Sequence, residues 1–342
     1  MLRQQDVGHR IVVRRIVGIR EGRPLFSDAL GELVELSETH LTLATAHGPL
    51  RVPVTQVHRA KRVPPTRRPT AAAVVALERA ADEAWPAPTR GRIGDWLLRS
   101  ADGWTGRANS ALPIGDPDRP LAAAVDEVER WYAEQGQPAM INTPLPLAAP
   151  VGTELDARGW TARPPTLVQT APLPLPAPSS VDTPPAAGRV ELADGQAGAA
   201  GGQAGRWEKA VVELATAPSE GWLAVVAGRK GGLPDAARHV LTAVDQVRFA
   251  HGYVDGTLVA VGRGTVTGQG RWLGLSLIEV SPEARRQGLA RQVIHELAAW
   301  GVSAGATRAF LQVEQHNTAA VALYQRLGFV THHTYLTRVA PH

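Results

Sequence analysis

The segment Glu279–Trp300, EVSPEARRQGLARQVIHELAAW, carries the residues best suited to chemistry. A strand is expected to end at Val280 and a turn to follow at Pro282. Gly288 then opens an amphipathic helix whose Leu289, Val293, Leu297 and Trp300 share one face. A helix N-terminus offers unpaired N–H groups and the positive end of the helix dipole, so it is a natural seat for a phosphate. Gly288 lets an anion come close to the backbone and small Ala290 does not crowd it. Arg285 and Arg286 add positive charge beside it. An ordinary strand–turn–helix containing a glycine has the same pattern.

A second piece, LQVEQHNTAAVALYQRLGF from Leu311 to Phe329, reads as a strand and then a helix beginning at Asn317. Ala320, Leu323 and Leu327 fall at helical spacing with Tyr324 beside them. Asn317 is equally an ordinary N-cap, and a helical tyrosine is more often packing than chemistry.

Together these pieces resemble the GNAT (GCN5-related) N-acetyltransferase superfamily. Arg285–Arg286–Gln287–Gly288–Leu289–Ala290 is similar to its R/Q-x-x-G-x-G/A pyrophosphate motif, preceded by V-x-P at Val280–Pro282. Asn317–Phe329 is similar to its N-x-x-A-x-x-L-Y-x-x-x-G-F signature. The resemblance implies a mixed α/β (α+β) GNAT fold that binds acetyl-CoA through Val280, Arg285, Arg286, Gln287, Gly288, Leu289 and Ala290. It also implies that Asn317 meets the pantetheine arm and that Tyr324 protonates the departing thiolate. Transfer to an amine needs backbone N–H groups near Val280 to polarise the acyl carbonyl, and a base to free the amine. Glu279 is the first candidate base and Glu314 the second. Strand alternation sends Glu279 and Val280 to opposite faces without saying which one meets the cleft.

The elements that must position these residues fall into segments. Residues 9–63 show short β-branched or alternating runs, so 1–66 are expected to form a small, basic, five-stranded barrel. Residues 71–172 read as helix, hairpin, helix, strand, helix, strand, the hairpin being assigned to WLLRSAD and WTGRANSAL. A proline-rich linker is expected over 173–188, with residues 189–342 as the acetyltransferase domain. Within the latter, RVELAD reads as a strand, GQAGAAGGQAG as a loop, and residues 206–215 and 233–243 as helices. LDARGW and LYQRLGF occupy equivalent places, so 71–172 reads as a degenerate GNAT-like copy. Its phosphate loop holds Asp116, Pro117 and Asp118, which repel an anion and remove a donor, and no tyrosine matches Tyr324. Arg107, Asn109 and Ser110 are candidates for the acceptor side, or for a solvated hairpin strand. The whole chain resembles actinobacterial histone-acetyltransferase-like proteins that carry a Src-homology-3-like barrel before a GNAT region.

Composition narrows the classes. The 342 residues include no cysteine, which removes disulfides, thiolate metal sites and a cysteine nucleophile and is compatible with a cytoplasmic protein. Abundant alanine, proline and arginine suit a GC-rich bacterial genome. No apolar run is long enough to span a membrane, and no histidine spacing suggests a metal. Residues 1–70 carry twelve Arg/Lys against six Asp/Glu, and residues 71–186 nine against fourteen. The head therefore suits an anionic partner such as nucleic acid, and the acidic middle a cationic amine. The acceptor is expected to be a primary amine, slightly favouring a lysine of a basic protein over a small antibiotic or metabolite. The alternative of another class is a non-catalytic acyl-CoA-sensing module acting through the barrel.

Overall fold

In residues 10–62, β-branched and leucine positions alternate with charged ones, and the chain turns back on itself at each polar break. The computed structural model describes residues 2–20, 22–45, 48–63, 69–176, 210–230 and 233–341. The expected strand RVELAD and loop GQAGAAGGQAG lie outside the described residues. Contacts divide the chain into two compact units, Met1–Arg68 and Pro69–His342.

The first unit holds β1 (Arg10–Arg20), β2 (Arg23–Leu36), β3 (His40–Thr45), β4 (Gly48–Pro53) and β5 (Val57–Arg62) in one antiparallel sheet ordered β4-β3-β2-β1-β5. Ile11, Val13, Leu33, Leu41, Leu43 and Val52 fill its core. A closed barrel was expected, but the sheet path ends at β4 and β5, which a single 3-10 turn at Val54–Gln56 joins.

The second unit begins with α1 (Ala71–Glu83), capped by Thr70 Oγ1, which accepts from Ala73 N. β6 (Thr89–Ile93) and β7 (Trp96–Ser100) form the hairpin, one strand earlier than expected. The tight turn is Gly94–Asp95, and WTGRANSAL is an irregular loop with a 3-10 turn at Arg107–Asn109. α2 (Leu121–Glu134), β8 (Met140–Leu145), α3 (Ala149–Ala157), β9 (Thr161–Ala162) and β10 (Thr166–Pro172) follow in the expected order.

The C-terminal part comprises β11 (Ala210–Ala215), α4 (Glu220–Lys230), α5 (Asp235–Thr242), β12 (Val247–Val254), β13 (Thr257–Thr267) and β14 (Trp272–Val280). It is completed by α6 (Leu289–Ser303), β15 (Arg308–Glu314), α7 (Thr318–Arg326) and β16 (Val330–Val339). The helix expected near 206–215 is the edge strand β11. Its alternating Val211, Glu213 and half-buried Val212, Leu214 suit a strand with one face in water.

One sheet runs through both halves, ordered β11-β12-β13-β14-β15-β10-β16-β8, with β9 on β16. The last strand of each half crosses over. β10 pairs antiparallel with β15, and β16 pairs antiparallel with β8. Residues 71–172 and the C-terminal segment therefore share a core instead of closing separately. On one face α6 and α7 cover the sheet; Leu289, Val293, Ile294 and Leu297 are buried there, each contributing about 2 kcal/mol by leaving water. On the other face lie α1, α4 and α5 with Trp85, Trp104 and Trp222. No described helix is long and apolar enough to cross a membrane.

Candidate active site

β14 and β15 run parallel and pair from Trp272↔Arg308 to Leu275↔Leu311, where the ladder stops. Leu277 has φ +53°, and the β13–β14 register shifts at this point, so β14 is bulged. Beyond the bulge β14 stays on β13, through Val261↔Glu279 and Ala260↔Val280, but leaves β15. A wedge opens between the two parallel strands, with one backbone edge of residues 276–280 turned towards it. Ile278 and Val280 pack on the α6 face and Leu277 on the opposite face. Alternation then puts Glu279 with Leu277, on the face away from α6.

At the mouth of the wedge the chain makes a 3-10 turn over Pro282–Ala284 and enters α6. Buried Ala284 and Leu289 anchor this turn, while Arg285, Arg286, Gln287 and Gly288 are exposed. Gly288 is the N-cap of α6, at φ +85°. Its missing Cβ would meet nothing closer than Arg291 Nη2 at 4.0 Å, so the helix N-terminus is open to a ligand. Arg286 is also left-handed, at φ +64°. Two expected phosphate contacts need restating. Arg285 Nε donates to Val280 O at 3.2 Å and so ties the turn to the strand end. The Leu289 side chain is in the core, leaving only its backbone for an anion.

Beyond β15, Asn317 Oδ1 accepts from Ala320 N at 3.2 Å and caps α7. No residue of α7 is fully buried. Ala320, Val321, Leu323 and Tyr324 lie half-buried against the same core as Ile278 and Val280, so apolar surface lines the wedge on the α6–α7 side. The Tyr324 ring sits edge-on to Phe329, centroids 6.0 Å apart.

The opposite face carries groups the sequence pattern only partly revealed. Phe310 packs on α1, so Gln312 and Glu314 share its side of β15. Glu314 is exposed and pairs with His316 at 3.2 Å. Tyr335 Oη donates to Gln312 Oε1 at 3.2 Å, one rung past the end of the β14–β15 ladder. Alternation along β15 was the available signal for Gln312; nothing local marked Tyr335. Arg107 lies over the Trp85 ring at 5.3 Å. Asn109 does not face an acceptor. Its Oδ1 accepts from Ala101 N (2.8 Å) and Gly103 N (3.0 Å), and its Nδ2 donates to Trp104 O (2.9 Å) and Thr105 O (2.8 Å). Ser110 is likewise buried, its Oγ accepting from Arg99 Nη2 at 3.1 Å.

In residues 71–172, the turn expected to correspond to Gly288 holds a carboxylate. Asp95 Oδ2 accepts from Asp116 N at 3.1 Å, and a Cβ on Gly115 would fall 2.5 Å from that same oxygen. This carboxylate crowds Gly115, whereas the space at Gly288 is open. An isolated parallel bridge, Ala111↔Ile141, joins β8 to the segment before this turn.

A family model described as "Probable histone acetyltransferase Rv0428c C-terminal" matches residues 71–181 and 190–337. The chain belongs to this GNAT-type acetyltransferase family. A protein of Mycobacterium tuberculosis (strain ATCC 25618 / H37Rv), named probable histone acetyltransferase Rv0428c, is 30% identical over 341 residues, covering 97% of this chain and 95% of the relative. A Bacillus subtilis (strain 168) protein, the uncharacterized N-acetyltransferase YobR, is 29% identical over 265 residues, covering 76% of this chain and 96% of its own. Among solved structures, a GCN5-related N-acetyltransferase from Kribbella flavida shares the fold. Its TM-score is 0.56 at 15% identity, over 81% of this chain and 97% of that one. The protein is thus an acetyltransferase of the GNAT kind.

Proposed function

We propose that this enzyme transfers an acetyl group from acetyl-CoA to a primary amine, with a protein lysine as the leading acceptor. The observation that carries the donor is the wedge between β14 and β15, continuous with the open N-terminus of α6 at Gly288. Gly288, Arg286, Gln287 and the backbone of Leu289 and Ala290 would hold the pyrophosphate. The edge of β14 that faces the wedge, with Asn317 and the apolar side of α7, would flank the pantetheine arm. Bound there, acetyl-CoA supplies a thioester carbonyl that a neutral amine can attack. Backbone N–H groups near Val280 would stabilise negative charge on an acyl oxygen. Tyr324 Oη gives a proton to the leaving sulfur, and Glu279, on the face away from α6, takes one from the amine.

Calorimetric titration with acetyl-CoA tests the donor site. Micromolar binding, on the order of −7 to −8 kcal/mol, should vanish in Gly288→Glu. An unchanged affinity in that variant sinks the assignment.

Two observations favour the protein acceptor. The 30% identical relative is named a probable histone acetyltransferase, and Arg59 and Lys61 on β5 lie in register beside Arg14 and Val12 of β1, Arg14 itself being paired with Asp28. Such a basic face suits recruitment to nucleic acid near a basic protein. Binding of the full chain to duplex DNA should fall steeply with salt. No binding at low salt would remove recruitment and leave a small amine as the better reading.

A further inference from the structure

His251 is buried on β12, and transfer at the wedge does not use it. It stands in a row that runs Glu213, His251, Val261, Glu279 across four strands, so the fully buried Val261 separates it from the candidate base. Both of its ring nitrogens have partners. Nδ1 lies 3.1 Å from the carbonyl of Phe249. A carbonyl only accepts, so Nδ1 carries the hydrogen and Nε2 of the neutral ring keeps its lone pair. Two groups of Ser219 meet that lone pair, Oγ at 3.0 Å and the main-chain N–H at 3.4 Å. The Ser219 hydroxyl therefore donates to an imidazole whose orientation a third group fixes, which is the arrangement of an activated nucleophile.

Ser219 is exposed and stands immediately before α4. Its Oγ accepts from Trp222 N at 3.1 Å and its carbonyl from Leu223 N at 2.9 Å. The N–H groups of Glu220 and Gly221 head the helix, where no carbonyl of an earlier turn exists to meet them. Such groups stabilise the negative oxygen that forms when a hydroxyl attacks a carbonyl. Gly221 also keeps the approach clear, since a Cβ there would lie 3.8 Å from Ser219 Oγ. A plain capping serine requires neither the imidazole nor the glycine.

A cavity of about 550 Å³ on the adjoining strands is lined by Val211, Glu213, Tyr253, Asp255 and Gly256. Its Glu213 is the cross-strand neighbour of His251, and its Tyr253 ring stacks on the imidazole at 6.3 Å. The carboxylates of Glu213 and Asp255 disfavour a polyanion such as coenzyme A. With the aromatic face they suit a neutral or cationic group.

We propose that Ser219, with His251 as its base, is a second acyl-transfer centre that takes an acyl group from a neutral or cationic ester or thioester. A bond forms between Oγ and the acyl carbon while the hydroxyl proton passes to His251 Nε2. The C–O or C–S bond then breaks, and the alcohol or thiol leaves with that proton. Water repeats the sequence on acyl-Ser219, releasing the carboxylic acid and restoring the serine. This centre works without coenzyme A and independently of the wedge.

Acetylthiocholine and acetyl-CoA are acetyl thioesters of opposite charge and are the probes. Thiol release by the full chain is followed with a disulfide reagent, which meets no cysteine in this protein. Wild type is compared with Ser219→Asn, which keeps a cap on α4 without a nucleophile, and with His251→Gln. Cleavage of acetylthiocholine should fall at least about 100-fold in either variant. The Ser219-dependent cleavage of acetylthiocholine should exceed that of acetyl-CoA at least about tenfold. Wild-type cleavage no faster than that of Ser219→Asn, an unchanged rate in a folded His251→Gln, or a Ser219-dependent preference for acetyl-CoA would overturn the inference. Urea midpoints report folding, and if His251→Gln does not fold, Ser219→Asn decides alone. Cleavage of acetyl-CoA that survives Ser219→Asn belongs to the wedge, and a failure of coenzyme A to bind touches only the donor reading.

Discussion

Arg263 Nη1 donates to the carbonyl of Ala84 at 2.9 Å, joining β13 to the end of α1 across 179 residues of sequence. Its Nε and Nη2 reach Leu241 O (2.8 Å) and Val240 O (3.2 Å) in the last turn of α5. One buried cation thus answers the orphan carbonyls and the negative ends of two helices. Burial first, and Arg107 second, pull its pKa down to about 9, which still leaves it charged at neutral pH.

Replacing it should therefore cost more than a single hydrogen bond. Arg263→Met leaves three buried carbonyls without donors and is expected to lower stability by about 3 kcal/mol. Urea unfolding of the full chain checks this. A midpoint unchanged from wild type would mean that water takes over the three carbonyls.

Tyr324→Phe keeps the ring against Phe329 and removes only the hydroxyl. Turnover should fall about 100-fold while coenzyme A affinity stays as it was. Equal rates for the two proteins would assign the thiolate proton to another donor.

Asn109→Ala removes four hydrogen bonds from one loop and should destabilise the protein by about 2–4 kcal/mol. Urea unfolding of the full chain checks this, and an unchanged midpoint would mean that water replaces the four partners.

Acid should weaken the fold through His332. Its Nδ1 lies 2.8 Å from His333 Nδ1, and His333 Nε2 lies 2.7 Å from Glu78 Oε1. Burial, then His333 and Arg308, depress the His332 pKa to about 4. An unfolded histidine titrates near 6.5, so between those values the unfolded chain binds a proton that the folded chain refuses. The contribution is complete above pH 6.5 and is lost as pH falls towards 4. Urea midpoints at pH 7 and 4.5 should drop less for His332→Gln than for wild type; equal drops would place the acid sensitivity elsewhere.

What the sequence disclosed follows from range. Gly288 and Asn317 act within one turn of their own helices, so their spacing alone located both helix starts. The turn at Gly94–Asp95 was also local, but the apolar run after it drew the hairpin one strand too late. Leu277 could not be read as a bulge, because leucine carries no preference for φ +53° and only the divergence of β14 from β15 holds it there. Asn109 looked like a ligand-facing polar residue because its four partners lie in a loop whose path has no sequence signature. Arg107 was visible as a candidate, yet the Trp85 ring beneath it belongs to a separate segment of the chain. The order of elements through residues 121–172 was legible from local pattern, while the crossing of β10 and β16 between halves was not, since strand pairing over such distances leaves no periodicity.

That crossing has a consequence for synthesis on the ribosome. β10 is made by Pro172, but both of its neighbours, β15 and β16, begin only at Arg308 and Val330. With about 140 residues still to be translated at ~5–20 per second, a nascent β10 waits on the order of ten to thirty seconds with neither edge paired. The segment ending in β10 leaves the ribosome as an unfinished sheet, exposed to aggregation and to chaperones, until β16 seals it.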